Sequence, residues 1–360
     1  MRILRLATSF FKSVFVATVA LLLFSCDSVI YDDEGDCVVK HRLRFVYDMN
    51  LKWADAFASE VNSVNLYVFD HNKLFVKEYA VAGDMLSQPG YRLDLDLPAG
   101  DYYFVGWCGL NNNGVMMESF TVNPPKVGVT TMDELICTLN TKPSRADDDM
   151  PTCDSRLNFL YHGYLEATLR DTKDGAEYEY TMYLTKDTNH IRIILQELSS
   201  DEDMDASDYE VKIETANGTL AYNNALLGNT VISYQPWGLT DDYVGVGRVD
   251  VENGDIKYVK GVVADLSTSR MMASQKNDFM LTVTRKDSGE DIIARVPVIQ
   301  YALLSRSYYE MAYGHQMTDQ EFLDREDEYV MTFFLEKGKW ISSYIDILQW
   351  RIVISNYDIG

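Results

Sequence analysis

The chain reads as an all-β protein, two tandem β-sandwich domains with a few short helices. Three observations carry that reading. Leu93, Leu95 and Leu97 alternate with Asp94 and Asp96, a period of two that gives a strand one buried face and one wet face. Short apolar runs recur along the chain with turn sequences such as Pro98-Ala99-Gly100-Asp101 between them, the pattern of a sandwich. No stretch alternates strand and helix around a Gly-rich turn, which excludes a nucleotide-binding parallel sheet.

The elements follow in order. Arg42 to Tyr47 alternates polar and apolar residues and predicts the first strand. Trp53 to Val61, with Ala54, Ala56, Phe57 and Ala58, predicts a short helix. Val64 to Phe69, the turn Asp70-His71-Asn72-Lys73 and Leu74 to Val81 predict a hairpin. The alternating leucines and Tyr102 to Trp107 add two strands. Near residues 140–157 the periodicity stops, and Pro143, Pro151 and Asp147-Asp148-Asp149 read as an exposed linker. This puts one sandwich at residues 41–145 and the other at 155–357. The second is predicted from runs at 157–169, 178–184, 191–198, 210–214, 231–234, 257–266, 279–285 and 292–296. Thr318 with Glu321 three residues on forms a capping-box pattern for a helix over 319–326. Tyr329 to Leu335, a turn at Glu336-Lys337-Gly338-Lys339, Trp340 to Ile347 and Trp350 to Ile354 finish the chain.

Residues 1–25 read as a lipoprotein signal peptide. Arg2, Arg5 and Lys12 are followed by an apolar stretch, Val14 to Leu23, and then by Phe24-Ser25-Cys26. About ten apolar residues are too few to span a bilayer, which takes roughly 20. A cysteine at the cleavage point is what acylation of its thiol requires, and Phe24 departs from the smaller residue usual there. The plainer alternative is a secretory signal with a chance cysteine. Two or three acyl chains, at about 0.8 kcal/mol per buried methylene, hold a soluble body on a membrane surface almost permanently. Residues 26–40 form an acidic tether containing Asp27, Asp32, Asp33, Glu34 and Asp36. In some outer-membrane systems such a stretch directs a lipoprotein outward, whereas in enteric bacteria an Asp directly after the cysteine favours inner-membrane retention. The two sorting rules point in opposite directions.

Loss of residues 1–25 removes three positive charges and takes the formal net charge from −23 to −26. A body that acidic repels nucleic acid and anionic lipid, so neither is an expected partner and Cys26 is left as the membrane attachment. Cys37, Cys108, Cys137 and Cys153 are candidate disulfide cysteines in an exported chain, with three pairings open, and free buried thiols are the alternative.

Chemistry is sparse. The five histidines show no metal-ligand spacing, and there is no G-x-S-x-G elbow or P-loop, so no catalytic residue, metal site or cofactor is expected. Cys153 and His162 lack an orienting third group. The run Asp201, Glu202, Asp203, Asp205, Asp208 and Glu210 is oxygen-rich but lacks the Gly and terminal Glu of an EF-hand, so it reads as a solvated loop. Trp237 or Trp340 could serve as a sugar-stacking platform, which would make the chain a surface glycan-binding lipoprotein.

Several stretches resemble the FimB-type fimbrial anchor and accessory family of Bacteroidales, which serves type V fimbriae. They are Cys26 with the tether and Asp36-Cys37, Leu43 to Asp48, Ala54 to Phe57, Val64 to Asp70 and Leu95 to Tyr102. In the C-terminal part Glu321 to Tyr329, Met331 to Phe334, Trp340-Ile341 and Trp350 to Val353 are similar to it, while residues 140–260 carry little of the likeness. The resemblance implies two transthyretin-like sandwiches and a lipid-anchored, surface-exposed position on the outer membrane. It also implies pilin partners and a role in attaching fimbriae and limiting their length; a tip-proximal accessory subunit stays open. Related pilins join by strand exchange, for which Tyr329, Met331, Phe333, Leu335 and Trp340 are the candidate residues here. The alternative is that these residues finish the second domain's own sheet.

Overall fold

The computed structural model describes residues 39–110, 119–143, 150–171, 176–198, 203–244, 248–249, 256–257, 260–347 and 350–355. The signal segment, Cys26, Cys37, Asp201, Glu202 and nearly all of the tether lie outside these. The chain divides into a small unit, Met1–Lys40 with Thr172–Ala176, and a large one, His41–Asp171 with Glu177–Gly360. Both hydrophobic cores belong to the large unit.

In chain order the strands begin with β1 (Lys40–Val46), β2 (Ser63–Asp70), β3 (Phe75–Ala82), β4 (Leu93–Leu95), β5 (Gly100–Cys108), β6 (Phe120–Val122), β7 (Ile136–Leu139) and β8 (Thr152–Cys153). Next come β9 (Tyr161–Leu169), β10 (Glu177–Lys186), β11 (Thr188–Glu197), β12 (Tyr209–Thr215), β13 (Thr219–Ala221), β14 (Ile232–Tyr234), β15 (Gly238–Tyr243), β16 (Arg248–Val249) and β17 (Ile256–Lys257). The series ends with β18 (Lys260–Ser269), β19 (Met280–Arg285), β20 (Glu290–Pro297), β21 (Glu328–Glu336), β22 (Lys339–Ile347) and β23 (Trp350–Ser355). Among the described residues four short α-helices interrupt them, besides three 3-10 turns: α1 (Phe57–Glu60), α2 (Val298–Leu304), α3 (Arg306–Tyr313) and α4 (Asp319–Arg325). The all-β class stands.

Local chemistry explains the predicted turns. Asp70 Oδ1 accepts from Asn72 N (2.8 Å) and Leu74 N (3.0 Å), which closes the β2–β3 hairpin while Lys73 takes a φ of 61°. Thr318 Oγ1 accepts from Glu321 N (3.1 Å) and starts α4, while the Glu321 carboxylate serves Arg325 one turn on (3.0 Å). The helix expected from Trp53 shortens to α1, which buries Phe57.

The sheets order as β3-β2-β5-β9-β10-β1-β4, β15-β18-β11-β21-β22-β23, β20-β19-β12-β14-β8, β13-β7-β6 and β16-β17. Strands β9 and β10, expected beyond the linker in a second sandwich, complete the first sheet: β9 pairs with β5 from Gly100↔Leu169 to Cys108↔Tyr161. Across the same break, β7 pairs with β13.

The seven-stranded sheet has a core on each face at its centre. Val64, Leu66 and Val68 of β2 and Phe104 and Cys108 of β5 enter one core, while Tyr67, Phe69, Val105 and Trp107 on the alternate positions enter the other. That explains why β2 and β5 read as nearly continuous apolar runs where the leucines of β4 alternate with aspartates. Fully buried Trp107 packs its ring 4.6 Å from that of His162, and the imidazole Nε2 hydrogen-bonds Tyr222 O at 2.7 Å. Burial lowers the His162 pKa to about 4, so the ring is neutral at pH 7.

Candidate functional site

The C-terminal segment expected to be exchanged is not free. β21 lies inside the six-stranded sheet, parallel to β11 from His190↔Glu328 to Glu197↔Leu335 and antiparallel to β22 on its other side. Tyr329, Met331, Phe333 and Leu335 are buried, and Trp340 sets its ring edge-on to Phe333 at 5.7 Å. Of the two readings left open by the sequence, the one in which this segment finishes its own sheet describes β21. The β21–β22 turn uses Lys337 (φ 53°) and Gly338 (φ 73°), and the Glu197 carboxylate accepts both backbone N–H groups at 3.1 and 2.9 Å.

The edge of that sheet is β23. It pairs with β22 from Ser342↔Ser355 to Ile347↔Trp350, and its other side has no strand partner among the described residues. An edge of this kind presents a row of backbone donors and acceptors that another chain can pair. The opposite edge, β15, carries Asp241 and Asp242; Asp241 takes an ion pair from Lys260 at 2.9 Å. Charge on an edge discourages pairing.

A buried polar junction holds this sheet to the first. β10 ends at Lys186 and β11 begins at Thr188, so Asp187 carries the chain from one sheet to the other. The Lys186 ammonium pairs with Asp327 and Glu60 and lies 3.6 Å from the centre of the Phe159 ring. Fully buried Asp187 accepts from Asn224 Nδ2 (2.8 Å) and faces Arg270 Nε at 3.7 Å. Arg270 gives both hydrogen bonds of one amino group to the Asp324 carboxylate (2.8 and 3.0 Å) and reaches Asn224 O with the other (2.8 Å). Burial pushes the Asp187 carboxyl up to about 7, although Arg270 and Asn224 pull it down. Glu326 is likewise raised to about 7 by burial, against the hydrogen bond it accepts from Tyr309 OH (2.7 Å). Arg325 extends the attachment from α4: it lies 3.7 Å over the Trp53 ring and donates to Asp48 O at 3.1 Å.

The other residues singled out from sequence have structural roles. Cys108, Cys137 and Cys153 are buried free thiols, the alternative that the sequence left open, while Cys37 lies outside the described residues: Cys108 belongs to one core, and Cys137 and Cys153 to the other. Burial raises all three thiol pKa values, so they are protonated and unreactive. Cys153 on β8 and His162 on β9 belong to different sheets. Asp203 accepts from Lys260 N (3.0 Å) and Asp205 from Ser207 N (2.8 Å), so these two carboxylates work as loop caps. Among the described residues no cluster of three or more His, Cys, Asp or Glu could hold a metal ion. Trp237 is covered by the Arg156 guanidinium at 5.4 Å and by His190, and donates to Ser267 Oγ. Neither it nor Trp340 is an open platform. No helix among the described residues is long and apolar enough to cross a membrane.

Solved structures of the same all-β architecture come from Bacteroides. A candidate adhesin of Bacteroides thetaiotaomicron is 34% identical, with a TM-score of 0.72 over 87% of this chain and 97% of that one. A candidate polysaccharide-binding protein of the same organism is 26% identical, with a TM-score of 0.71 over 89% and 99%. In sequence the chain is 22% identical over 288 residues to the minor fimbrium anchoring subunit Mfa2 of Porphyromonas gingivalis, which covers 79% of this chain and 78% of that protein. The family model of the fimbrillin-A associated anchor proteins Mfa1 and Mfa2 matches residues 33–356. The chain belongs to that family of fimbrial anchor proteins.

Proposed function

We propose that this chain is the lipid-anchored mount of a fimbria, held on the outer face of the outer membrane by acyl groups on Cys26 and joined to the first pilin by strand pairing. The observation that carries the reading is the anchor-family match across residues 33–356, and the sequence before it, residues 1–25 followed by Cys26, reads as a lipoprotein signal. An acylated N-terminus fixes one end of the molecule. The edge at β23 leaves backbone groups for one more strand, so a pilin adds there. Growth therefore ends at this subunit, which limits fibre length.

The exchanged or receiving strand is placed at β23, since drawing β21 out would expose Met331, Phe333 and Leu335 and break two strand pairings. Fully burying one such side chain is worth about 1.5–3 kcal/mol, which makes the interior strand a costly donor. Cys26→Ala is expected to release the mature protein, with its fimbriae, from cells into the medium and to lengthen the fibres. Fractionation and electron microscopy check this; variant protein and fimbriae that stay on the cell at normal length would count against the proposal.

A further inference from the structure

We infer that the outward face of α2–α3 is a docking surface for the body of a fimbrial subunit, a contact additional to the strand pairing at β23 and resting on the anchor reading. Leu304, Tyr308 and Met311 are 49%, 37% and 74% exposed, and with exposed Ser307 they form this face. Their spacing is helical, four residues and then three. Ser305, between the two helices, keeps right-handed helical backbone (φ −79°, ψ −20°), so Leu304 stays in phase with α3.

A surface helix normally turns its charged residues to water. α3 does the reverse. Its Arg306 and Glu310 pair with each other at 3.5 Å and serve α4 and the segment before it: Arg306 also pairs with Asp319, and Glu310 accepts from Met317 N at 3.0 Å. The outward face is left without a charge, in a chain whose formal net charge is −23. Beyond the buried Tyr309, Tyr313 and Trp53 add exposed aromatic surface, their ring centres 6.4 Å apart. Trp53 is held at φ 53°, a left-handed conformation that a bulky residue rarely adopts, with the Arg325 guanidinium 3.7 Å from its ring centre. Tyrosine, methionine and tryptophan without charged neighbours are the composition of an interface centre, and an exposed apolar patch of this kind marks an interaction site.

Position and charge choose the occupant. β1 follows the tether directly, and at its start His41 Nε2 lies 3.2 Å from Arg170 O while Arg42 pairs with Glu177 at 2.9 Å. The strand is seven residues long, so at roughly 3.3 Å per residue its far end lies about 20 Å away. Arg325, which covers Trp53, donates to Asp48 O at that far end, and Tyr313 stacks on Tyr309 of α3 with ring centres 6.3 Å apart. The apolar face therefore belongs to the end of the body remote from where the tether enters, the end on which a fibre stands. A second copy of this chain is a poor occupant, because two bodies of the same strong negative charge repel. Leu304, Tyr308 and Met311 alone also fall short of the roughly 1,200–2,000 Å² that a stable interface buries, so the face supplements the strand pairing at β23 and does not replace it. The partner is asked for an uncharged apolar patch on its own surface.

The test places the photo-crosslinker p-benzoylphenylalanine at position 308 or 311 of the full chain in fimbriated cells, with position 183, an exposed tyrosine on β10, as the control. Irradiation is expected to join positions 308 and 311, and not 183, to a fimbrial subunit identified by mass spectrometry. Tyr308→Ser combined with Met311→Ser is expected to leave Tm within about 2 °C, since both side chains are exposed, and to lower the co-purified fimbrial ladder about fivefold or more. Adducts only within the chain, to a second copy or to lipid, no adduct, equal labelling from position 183, or an unchanged ladder in the double variant would each overturn the inference and leave the anchor reading standing. An unsubstituted chain that co-purifies with no fimbrial subunit would overturn the anchor reading and this inference with it.

Discussion

Arg270→Met is expected to destabilise the large unit by about 3–5 kcal/mol, the range for removing one partner of a buried ion pair. The variant leaves the Asp187 carboxylate, which is fully buried, without its cation, and it strips Asp324 of two hydrogen bonds. Adding Asp187→Asn should recover part of the loss, because the uncompensated charge then disappears. Denaturation by urea, followed at several pH values, reads both effects. The Asp187 pKa of about 7 in the folded protein lies above the roughly 3.9 of an exposed aspartate, so the folded state binds this proton more tightly. The contribution is therefore favourable below about pH 4, is lost as pH rises through 7, and stays lost above that. Glu326 acts in the same direction, raised by burial from an ordinary 4.5 to about 7. The urea midpoint is expected to be higher at pH 5.5 than at pH 8, with a shallower difference in Asp187→Asn. An unchanged slope in that variant would remove Asp187 from the explanation.

Deletion of residues 350–360 is expected to abolish capture of fimbrial subunits while leaving β21 and β22 paired. In the proposed arrangement those residues provide the edge strand, β23, while the opposite edge of that sheet, β15, carries Asp241 and Asp242. A strand contributes a run of main-chain hydrogen bonds together with side chains set in alternate pockets, so its loss is nearly all-or-none for assembly. Co-purification of the fimbrial ladder with the tagged deletion variant, compared with the intact chain, measures it. Recovery of the same ladder would move the joining surface away from the C-terminus.

Much of the fold is legible in the sequence because local chemistry and periodicity agree. The Asp70–Lys73 turn and the Thr318 cap each depend on residues within four positions of one another and form as read, whereas the Lys337-Gly338 turn, placed correctly, also takes its hydrogen bonds from distant Glu197. The helix pair α2–α3 escapes sequence reading even though Val298, Ile299, Tyr301, Ala302 and Tyr309 recur at helical spacing and are buried. Pro297 precedes α2 and no side chain caps either helix, so the usual start signal is absent. Sheet membership is harder to read. A prolyl, acidic stretch signals solvent exposure, which suggests a break between domains, whereas β9 and β10 return across it to the first sheet. The polar junction is not legible at all: Asp187 meets Asn224 from 37 residues away, and Arg270 meets Asp324 from 54. The bulge in β20, where Arg295 takes a φ of 52°, leaves no trace either, because Ile292 to Val296 reads as an ordinary strand until its partner's register is known.

The central claim is that a fatty-acylated cysteine fastens this β-rich body to the cell so that a fibre can stand on it. Intact-mass analysis of the mature N-terminus, purified from cells grown with labelled palmitate, tests this most directly. The account predicts a chain that begins at Cys26, carries label, and partitions with outer-membrane vesicles. A secreted chain without acyl mass, whatever its first residue, would contradict it.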